Sequence, residues 1–422
     1  MQDNLQIPYG ISDFKRVRTE GYYYIDKTGY IPTLEQAGSF LFFVRPRRFG
    51  KSLFINMLRC YYDLAEKENF EKLFGGLAIA ENPTRNVNRY QVLYMDFSRV
   101  NRGSGMSLQE RFETYVRECL DAFMVRYGAQ YGETFLEEYR KVPVSAKFTK
   151  MAEYARIKGF HLYLMIDEYD NFTNAMLRAE DTGDYRSITH GQGFYREWFK
   201  EFKADFDRIF MTGVSPVTMD DLTSGFNIAT NISQDAEFNA MLGFSEEDVL
   251  KLYTDFKGTG RYQTGEPAEW VKSIKPWYDG YCFSKAKIGK ECVFNSDMAL
   301  YHLSALVKTG CAPENIEKNL LDQEMAQLKN CERYLDKIYS PRLMSVKSVL
   351  QSAFEEGEMD LPILPQFDFE AIDDQKVFLS LFYYYGVLTF SRYHQGLTYF
   401  GFPNEWCRQQ AKWSIHSTKP GE

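Results

Sequence analysis

A lysine and a serine set between a buried strand and an amphipathic helix constrain this chain more than any other feature. Phe40-Leu41-Phe42-Phe43-Val44 is a short apolar run with the length and composition of a buried strand. From Leu53 to Tyr62 the apolar residues recur at spacings of three and four, the period of a helix with one buried face. Between them stands Arg45-Pro46-Arg47-Arg48-Phe49-Gly50-Lys51-Ser52. Strand, loop, Gly-Lys-Ser and helix form the arrangement of a phosphate-binding loop, in which backbone N–H groups and the positive end of the helix face an anion. Lys51 is then expected to reach the β- and γ-phosphates of ATP, and the Ser52 hydroxyl to ligate Mg²⁺. Arg47, Arg48, Phe49, Gly50, Lys51, Ser52 and Leu53 are the residues expected to line the nucleotide. One position departs from the pattern. Where a glycine is usual, five residues before Gly50, the chain has Arg45, and the proline after it favours an extended backbone there. The competing reading is a basic turn that contains Gly-Lys-Ser by chance.

A second apolar run, His161-Leu162-Tyr163-Leu164-Met165-Ile166, ends in Asp167-Glu168. An acid at the tip of a neighbouring strand suits the Mg²⁺ coordination sphere, and a carboxylate beside it suits the orientation or deprotonation of an attacking water. Asp167 fits the first role and Glu168 the second. Alone, such a strand end is often only solvated. The separation of about 115 residues from Ser52 leaves room for intervening βα units, and the two motifs support each other. A third strand, Arg208-Ile209-Phe210-Met211, leads into Thr212-Gly213-Val214-Ser215-Pro216. If that strand lies between the other two, Thr212 (with Ser215 in reserve) is placed to sense the γ-phosphate or hold the lytic water. Equally, Thr212 can simply satisfy a strand-end backbone group.

These residues resemble the bacterial AAA-ATPase-like family, whose loop reads Arg-Pro-Arg-Arg-Phe-Gly-Lys-Ser and lacks the first glycine. The acidic strand of that family is similar to Ile166-Asp167-Glu168-Tyr169-Asp170. The resemblance includes Pro8-Tyr9-Gly10-Ile11-Ser12-Asp13-Phe14, Tyr24-Ile25-Asp26-Lys27-Thr28 and Thr212 through Thr218. It continues at Ser224-Gly225-Phe226-Asn227 and Trp277-Tyr278-Asp279-Gly280-Tyr281. It implies an α/β P-loop NTPase fold of the AAA/STAND-like type, a mostly parallel sheet with helices on both faces. A PD-(D/E)XK nuclease domain often follows in this family.

The organisation of the chain agrees. A length of 422 residues suggests two or three domains at the usual ~100–200 residues each. Residues 1–244 alternate strands with helices and read as the nucleotide-binding domain. Within it, helices are expected at Ser107–Tyr127, Ser145–Lys158 and Tyr195–Phe206, a strand at Gln91–Phe97, and a surface loop at Asn174–Gly193. Asp26 is a plausible helix cap. Ser245, with acids behind it, marks a helix start and opens a mostly helical region over 245–370, which the resemblance implies is a helical lid. Residues 371–416 read as a helix plus a hairpin around His394-Gln395-Gly396, a winged-helix-like unit, before a polar tail at 417–422. Few basic residues flank the hairpin, so packing is favoured over nucleic-acid binding.

Other chemistry finds little support. Asp374-Gln375-Lys376 has the acid-x-Lys spelling of a nuclease but sits at a helix start, where an acid is ordinary capping. The five histidines are isolated, and the seven cysteines are scattered without a Cys-x-x-Cys pair. Reduced thiols, a polar start and the lack of a membrane-spanning run imply a cytoplasmic protein. A net charge of −8 requires any nucleic-acid partner to meet a local basic patch. Tyr22–Tyr24 and Tyr383–Tyr385 lack interleaved Lys and Arg, so they read as packing clusters rather than base platforms. Two functions are therefore expected from the residues. One is ATP hydrolysis driving a switch; the other is a nucleotide-gated binding module that recruits a nucleic-acid or protein partner. The oligomeric state is left open.

Overall fold

Strands that are apolar along their whole length need cover on both faces, and parallel pairing with helical crossovers provides it. The structure, a computed structural model, describes residues 5–100, 106–171, 194–216, 229–314, 345–360, 363–365 and 375–416, with short pieces at 325–326, 328–329 and 332. The surface loop expected at 174–193, the segment 224–227 and Asp374 lie outside the described residues. The chain divides into two units, one of Thr28–Phe43 and Ser52–Ile232, the other of Met1–Lys27, Val44–Lys51 and Ser233–Glu422.

The first unit holds a five-stranded sheet. Its strands are β1 (Phe40–Val44, the last residue passing into the second unit), β2 (Tyr90–Asp96), β3 (His161–Asp167), β4 (Arg208–Gly213) and β5 (Thr230–Asn231). Their order is β2-β3-β4-β1-β5. β2 and β3 run parallel from Tyr90 opposite His161 to Asp96 opposite Asp167. β3 and β4 run parallel from Tyr163 opposite Arg208 to Ile166 opposite Met211, and β1 pairs in parallel with β5. Helix α1 (Lys51–Tyr62) follows the loop after β1. Helix α2 (Leu108–Tyr131) starts at a capping box in which Ser107 and Glu110 satisfy each other's backbone N–H. Helix α3 (Val144–Lys158) ends where Gly159 turns left-handed. Phe148 of α3 packs edge-on against Trp198 and Phe202 of α4 (Phe194–Asp205), at 5.2 and 5.1 Å between ring centroids. Arg126 of α2 pairs with Asp63 at 2.8 Å and with Glu66, which ties the end of α1 to α2 through buried acids.

In the second unit, Ser245 and Asp248 form the capping box of α5 (Glu246–Gly258), as the sequence led us to expect. Lys27 reaches the same Asp248 at 2.8 Å, and the Tyr23 hydroxyl donates to Asp255 at 2.6 Å, so the N-terminal segment is fastened to α5. Helices α6 (Pro267–Tyr278), α7 (Ser296–Thr309), α8 (Val346–Glu356) and α9 (Gln375–Tyr384) follow. The expected hairpin is β7 (Thr389–His394) and β8 (Leu397–Gly401), joined by a two-residue turn at Gln395 and Gly396 with φ of 50° and 87°. A short strand, β6 (Met359–Asp360), pairs with the other edge of β8, and α10 (Glu405–His416) closes the chain. Tyr383, Tyr384 and Tyr385 are buried, in keeping with a packing role. His302 is a core histidine: burial lowers its pKa to about 4, and Nδ1 lies 2.8 Å from the Tyr253 hydroxyl. Asp26 precedes a short 3-10 turn, Thr28–Tyr30, which leads into the helix Ile31–Ala37. That helix begins with Tyr30 at its cap position and Pro32 in the first turn, a start that needs no side-chain acceptor. Among the described residues no helix is long and apolar enough to cross a membrane.

The aromatic-glycine segment at 277–281 has a steric basis. Gly280 has φ of 94°, and a Cβ there would come 1.8 Å from the carbonyl oxygen of Pro403. The neighbouring Asn404 donates to the Asp279 carbonyl at 2.9 Å. Gly280→Ala is therefore expected to destabilise the protein by about 2–4 kcal/mol, read from the urea midpoint. A change below about 0.5 kcal/mol would show that the 403–404 segment gives way without penalty.

Candidate nucleotide-binding site

The loop after β1 curls around its own lysine. Lys51 Nζ donates to the carbonyl oxygens of Arg45 and Pro46, each at 2.9 Å, and the side chain is buried. An ammonium held by loop carbonyls has donors that a phosphate can engage by exchange. Gly50 has φ of 92°. Arg48 is also left-handed, with φ of 69°, a strain of roughly 1–2 kcal/mol for a residue with a side chain. Its surroundings compensate. The Arg48 carbonyl accepts from Ser296 Oγ at 3.0 Å and from the Asp297 N–H at 3.4 Å, which adds an acceptor at the start of α7 beside the Asn295 side-chain cap. Its guanidinium lies 3.5 Å from Asp297. Burial raises the Asp297 carboxyl above its usual range, and the Arg48 charge opposes that rise. Arg48, expected from the sequence to line the nucleotide, is thus paired with an acid at the start of α7. Arg47 is half-buried. The Phe49 ring is buried edge-on against Tyr281 and Phe283, at 4.9 and 5.4 Å, so its contribution to an anion is confined to its backbone.

Arg45 explains the absent glycine. Its guanidinium is buried and donates to the carbonyls of Val44 (2.9 Å), Ser233 (2.6 Å) and Phe238 (2.9 Å), with Cζ 4.2 Å from the centre of the Phe283 ring. Ser233 returns the contact, its hydroxyl accepting from the Val44 N–H at 2.9 Å. The loop thus opens on a side-chain anchor rather than on a glycine turn. Charge-assisted bonds and the aromatic face offset the desolvation of the cation.

The acidic strand tip belongs to the sheet unit. Asp167, at the end of β3, is buried, and its Oδ1 accepts from the Glu168 N–H at 3.0 Å. Glu168 is half-buried and left-handed, with φ of 51°. β4 lies between β3 and β1 in the sheet, the position the sequence reading required for Thr212. Thr212 is 1% exposed, and its Oγ1 has no hydrogen-bond partner among the described residues. A buried hydroxyl in that state forgoes about 1–3 kcal/mol, which a ligand or water can return. Ser52 and Leu53, at the start of α1, are both partly exposed. Ser52 and Asp167 supply hard oxygen donors suited to Mg²⁺, an ion that takes one or two carboxylates and leaves the rest of its shell to phosphates and water. Sequence reasoning missed two residues: Arg45, read only as a departure, and Asp170, whose acid stands directly behind the motif.

Arg45→Ala would leave three carbonyls without their donor. An expected loss of about 3 kcal/mol in unfolding free energy, from denaturant titration, follows from hydrogen bonds to a charged group. Unchanged stability would mean that water replaces the guanidinium at no cost.

Residues 8–223 match the family described as "Predicted AAA-ATPase". An "Uncharacterized protein in vnfD 5'region" of Azotobacter chroococcum mcd 1 is 28% identical over 280 residues, covering 65% of this chain and 48% of that protein. The chain thus spans about half the length of that curated relative. Among solved structures, the Aeropyrum pernix ORC2 protein in its ADPNP-ADP complexes aligns over 95% of this chain and 98% of its own, at 11% identity and a TM-score of 0.39. The family match takes in the loop at 45–52, the tip of β3 and Thr212, and it covers just over half the sequence. The chain belongs to this AAA-ATPase-like family of P-loop NTPases.

Proposed function

We propose that the protein is an ATPase in which nucleotide occupancy of the loop at 47–53 drives a conformational switch. The observation that carries this reading is Lys51, buried in the loop with its Nζ donating to the backbone carbonyls of Arg45 and Pro46, acceptors that phosphate oxygens can replace. In this proposal Lys51 leaves the carbonyls of Arg45 and Pro46 for the β- and γ-phosphate oxygens. The backbone N–H groups of residues 48–52 add donors to the same oxygens. Ser52 and Asp167 are the residues that would hold Mg²⁺, whose charge screens the phosphates. Glu168 accepts a proton from water as the water oxygen bonds to the γ-phosphorus and the bond to the ADP oxygen breaks. Thr212, with its unused hydroxyl, holds that water or senses the γ-phosphate.

A switch is supported by what the loop touches. The Arg48 carbonyl serves the start of α7, and the Phe49 carbonyl accepts from the Gly243 N–H at 3.2 Å. A phosphate that shifts the loop backbone therefore acts on residues 243 and 296–297 directly. In this reading 1–244 is the nucleotide-binding domain, 245–370 the lid, 371–416 a winged-helix-like element and 417–422 a tail. The setting is cytoplasmic, and the output is a nucleic-acid or protein partner or a nuclease domain.

Lys51→Ala is expected to weaken ATP binding on the order of a hundredfold by calorimetry, since hydrogen bonds to a charged group contribute roughly 1.5–3 kcal/mol. Unchanged affinity would place the nucleotide elsewhere. Glu168→Gln is expected to keep ATP affinity and to slow turnover on the order of 10²–10⁴-fold, the usual contribution of a positioned base. Binding without turnover in the wild type would assign the protein to the nucleotide-gated binding class instead.

A further inference from the structure

The ladder between β3 and β4 stops at Ile166 opposite Met211, yet the segments that follow the two strands stay joined beyond it by one backbone bond and by side chains. The Tyr169 N–H donates to the Thr212 carbonyl at 3.1 Å, and the Tyr169 hydroxyl donates to the Ser215 carbonyl at 2.6 Å. The Asp170 carboxylate accepts from the Val214 N–H at 3.1 and 3.2 Å, from the Ser215 N–H at 3.0 Å and from Ser215 Oγ at 3.4 Å. Tyr169, Asp170 and Ser215 are all at most 1% exposed. Two successive N–H groups aimed at one carboxylate form a small anion nest, which is what lets an acid stay in so dry a place.

Gly213 makes the clamp possible. A Cβ at that position would lie 2.4 Å from Asp170 Oδ1 and 2.7 Å from Tyr169 Cε1. Both contacts are far inside van der Waals distance, so the carboxylate reaches its donors only over a bare backbone.

We infer that Asp170, seated over Gly213 and assisted by Tyr169, is a positioning residue that fixes Glu168 and Thr212 relative to each other for hydrolysis. The inference rests on the ATPase reading above and deepens it. Glu168 precedes the clamp directly, and its left-handed backbone is closed on the far side by the Tyr169 N–H. Thr212 is the residue whose carbonyl that N–H holds. The clamp uses the Thr212 carbonyl and leaves the Oγ1 hydroxyl out of its own hydrogen bonding. Displacements of about 1 Å at such groups lower rates about a hundredfold.

The test uses the full chain with Asp170→Asn and Gly213→Ala, measuring ATP affinity by calorimetry, kcat and KM by phosphate release, and thermal unfolding. Asp170→Asn keeps the volume but turns an NH₂ toward backbone donors; Gly213→Ala pushes the unaltered carboxylate away. Both are expected to lower kcat on the order of a hundredfold with ATP affinity and KM within about twofold of wild type. Tyr169→Phe, which removes the hydroxyl that donates to the Ser215 carbonyl, is expected to lower kcat about tenfold with the same split, and it carries the test if the other variants do not fold. Wild-type kcat in the folded variants, or affinity and kcat falling together, overturns the positioning role while leaving the ATPase reading in place. A wild type that binds ATP without turnover overturns both.

Discussion

A guanidinium that cannot lose its proton, sealed inside the protein, sets the start of the loop. Arg45 stays charged throughout the physiological range, so its burial is stable only while the carbonyls of Val44, Ser233 and Phe238 and the Phe283 ring surround it. That requirement fixes the Arg45 backbone, and the Arg45 carbonyl in turn is one of two that hold Lys51. The two buried cations of the loop, Arg45 and Lys51, are therefore held in different ways. The arginine is committed to partners that no small ligand replaces. The lysine, a compact ammonium with three rotatable donors, is bound by acceptors it can trade for phosphate oxygens.

Backbone strain is found at both motifs. Arg48 and Glu168 are two of four non-glycine residues with left-handed φ among those described, and each is the kind of residue for which that conformation is unfavourable by roughly 1–2 kcal/mol. At Arg48 the neighbouring hydrogen bonds come from Ser296 and Asp297. At Glu168 they come from the Asp167 carboxylate before it and the Tyr169 N–H after it. In each case the surrounding bonds over-determine a turn that local propensity alone would relax.

What the sequence disclosed, and what it withheld, follows from the range of each interaction. β3, β4, α2, α3 and the Ser245 cap were legible because each depends on residues within a turn or a strand of one another: apolar runs, Ser107 with Glu110, Ser245 with Asp248. The hairpin at 389–401 was legible for the same reason. The purpose of Arg45 was not, since its acceptors at Ser233 and Phe238 stand 188 and 193 residues away and are backbone atoms, which carry no residue signature. The stretches 174–193 and 224–227 fall outside the described residues.

Asp170 was hidden for a different reason. Standing behind Asp167 and Glu168, it reads as one more acid on a polar strand end, and nothing local distinguishes it. Its meaning depends on what a parallel sheet cannot do at its edge. The β3–β4 ladder ends at Ile166 opposite Met211, and beyond it the buried N–H groups of Val214 and Ser215 and the carbonyls of Thr212 and Ser215 need partners, since buried backbone groups left unpaired are unfavourable. One carboxylate supplies acceptors for both N–H groups, and one tyrosine supplies donors for both carbonyls. Loop and strand tip thus follow one rule. Side chains complete the backbone where regular structure stops: Arg45 at the head of the loop, Tyr169 and Asp170 beyond the ladder. Beyond the ladder the completed backbone includes the Thr212 carbonyl, and at the head of the loop the anchored Arg45 presents its own carbonyl to Lys51.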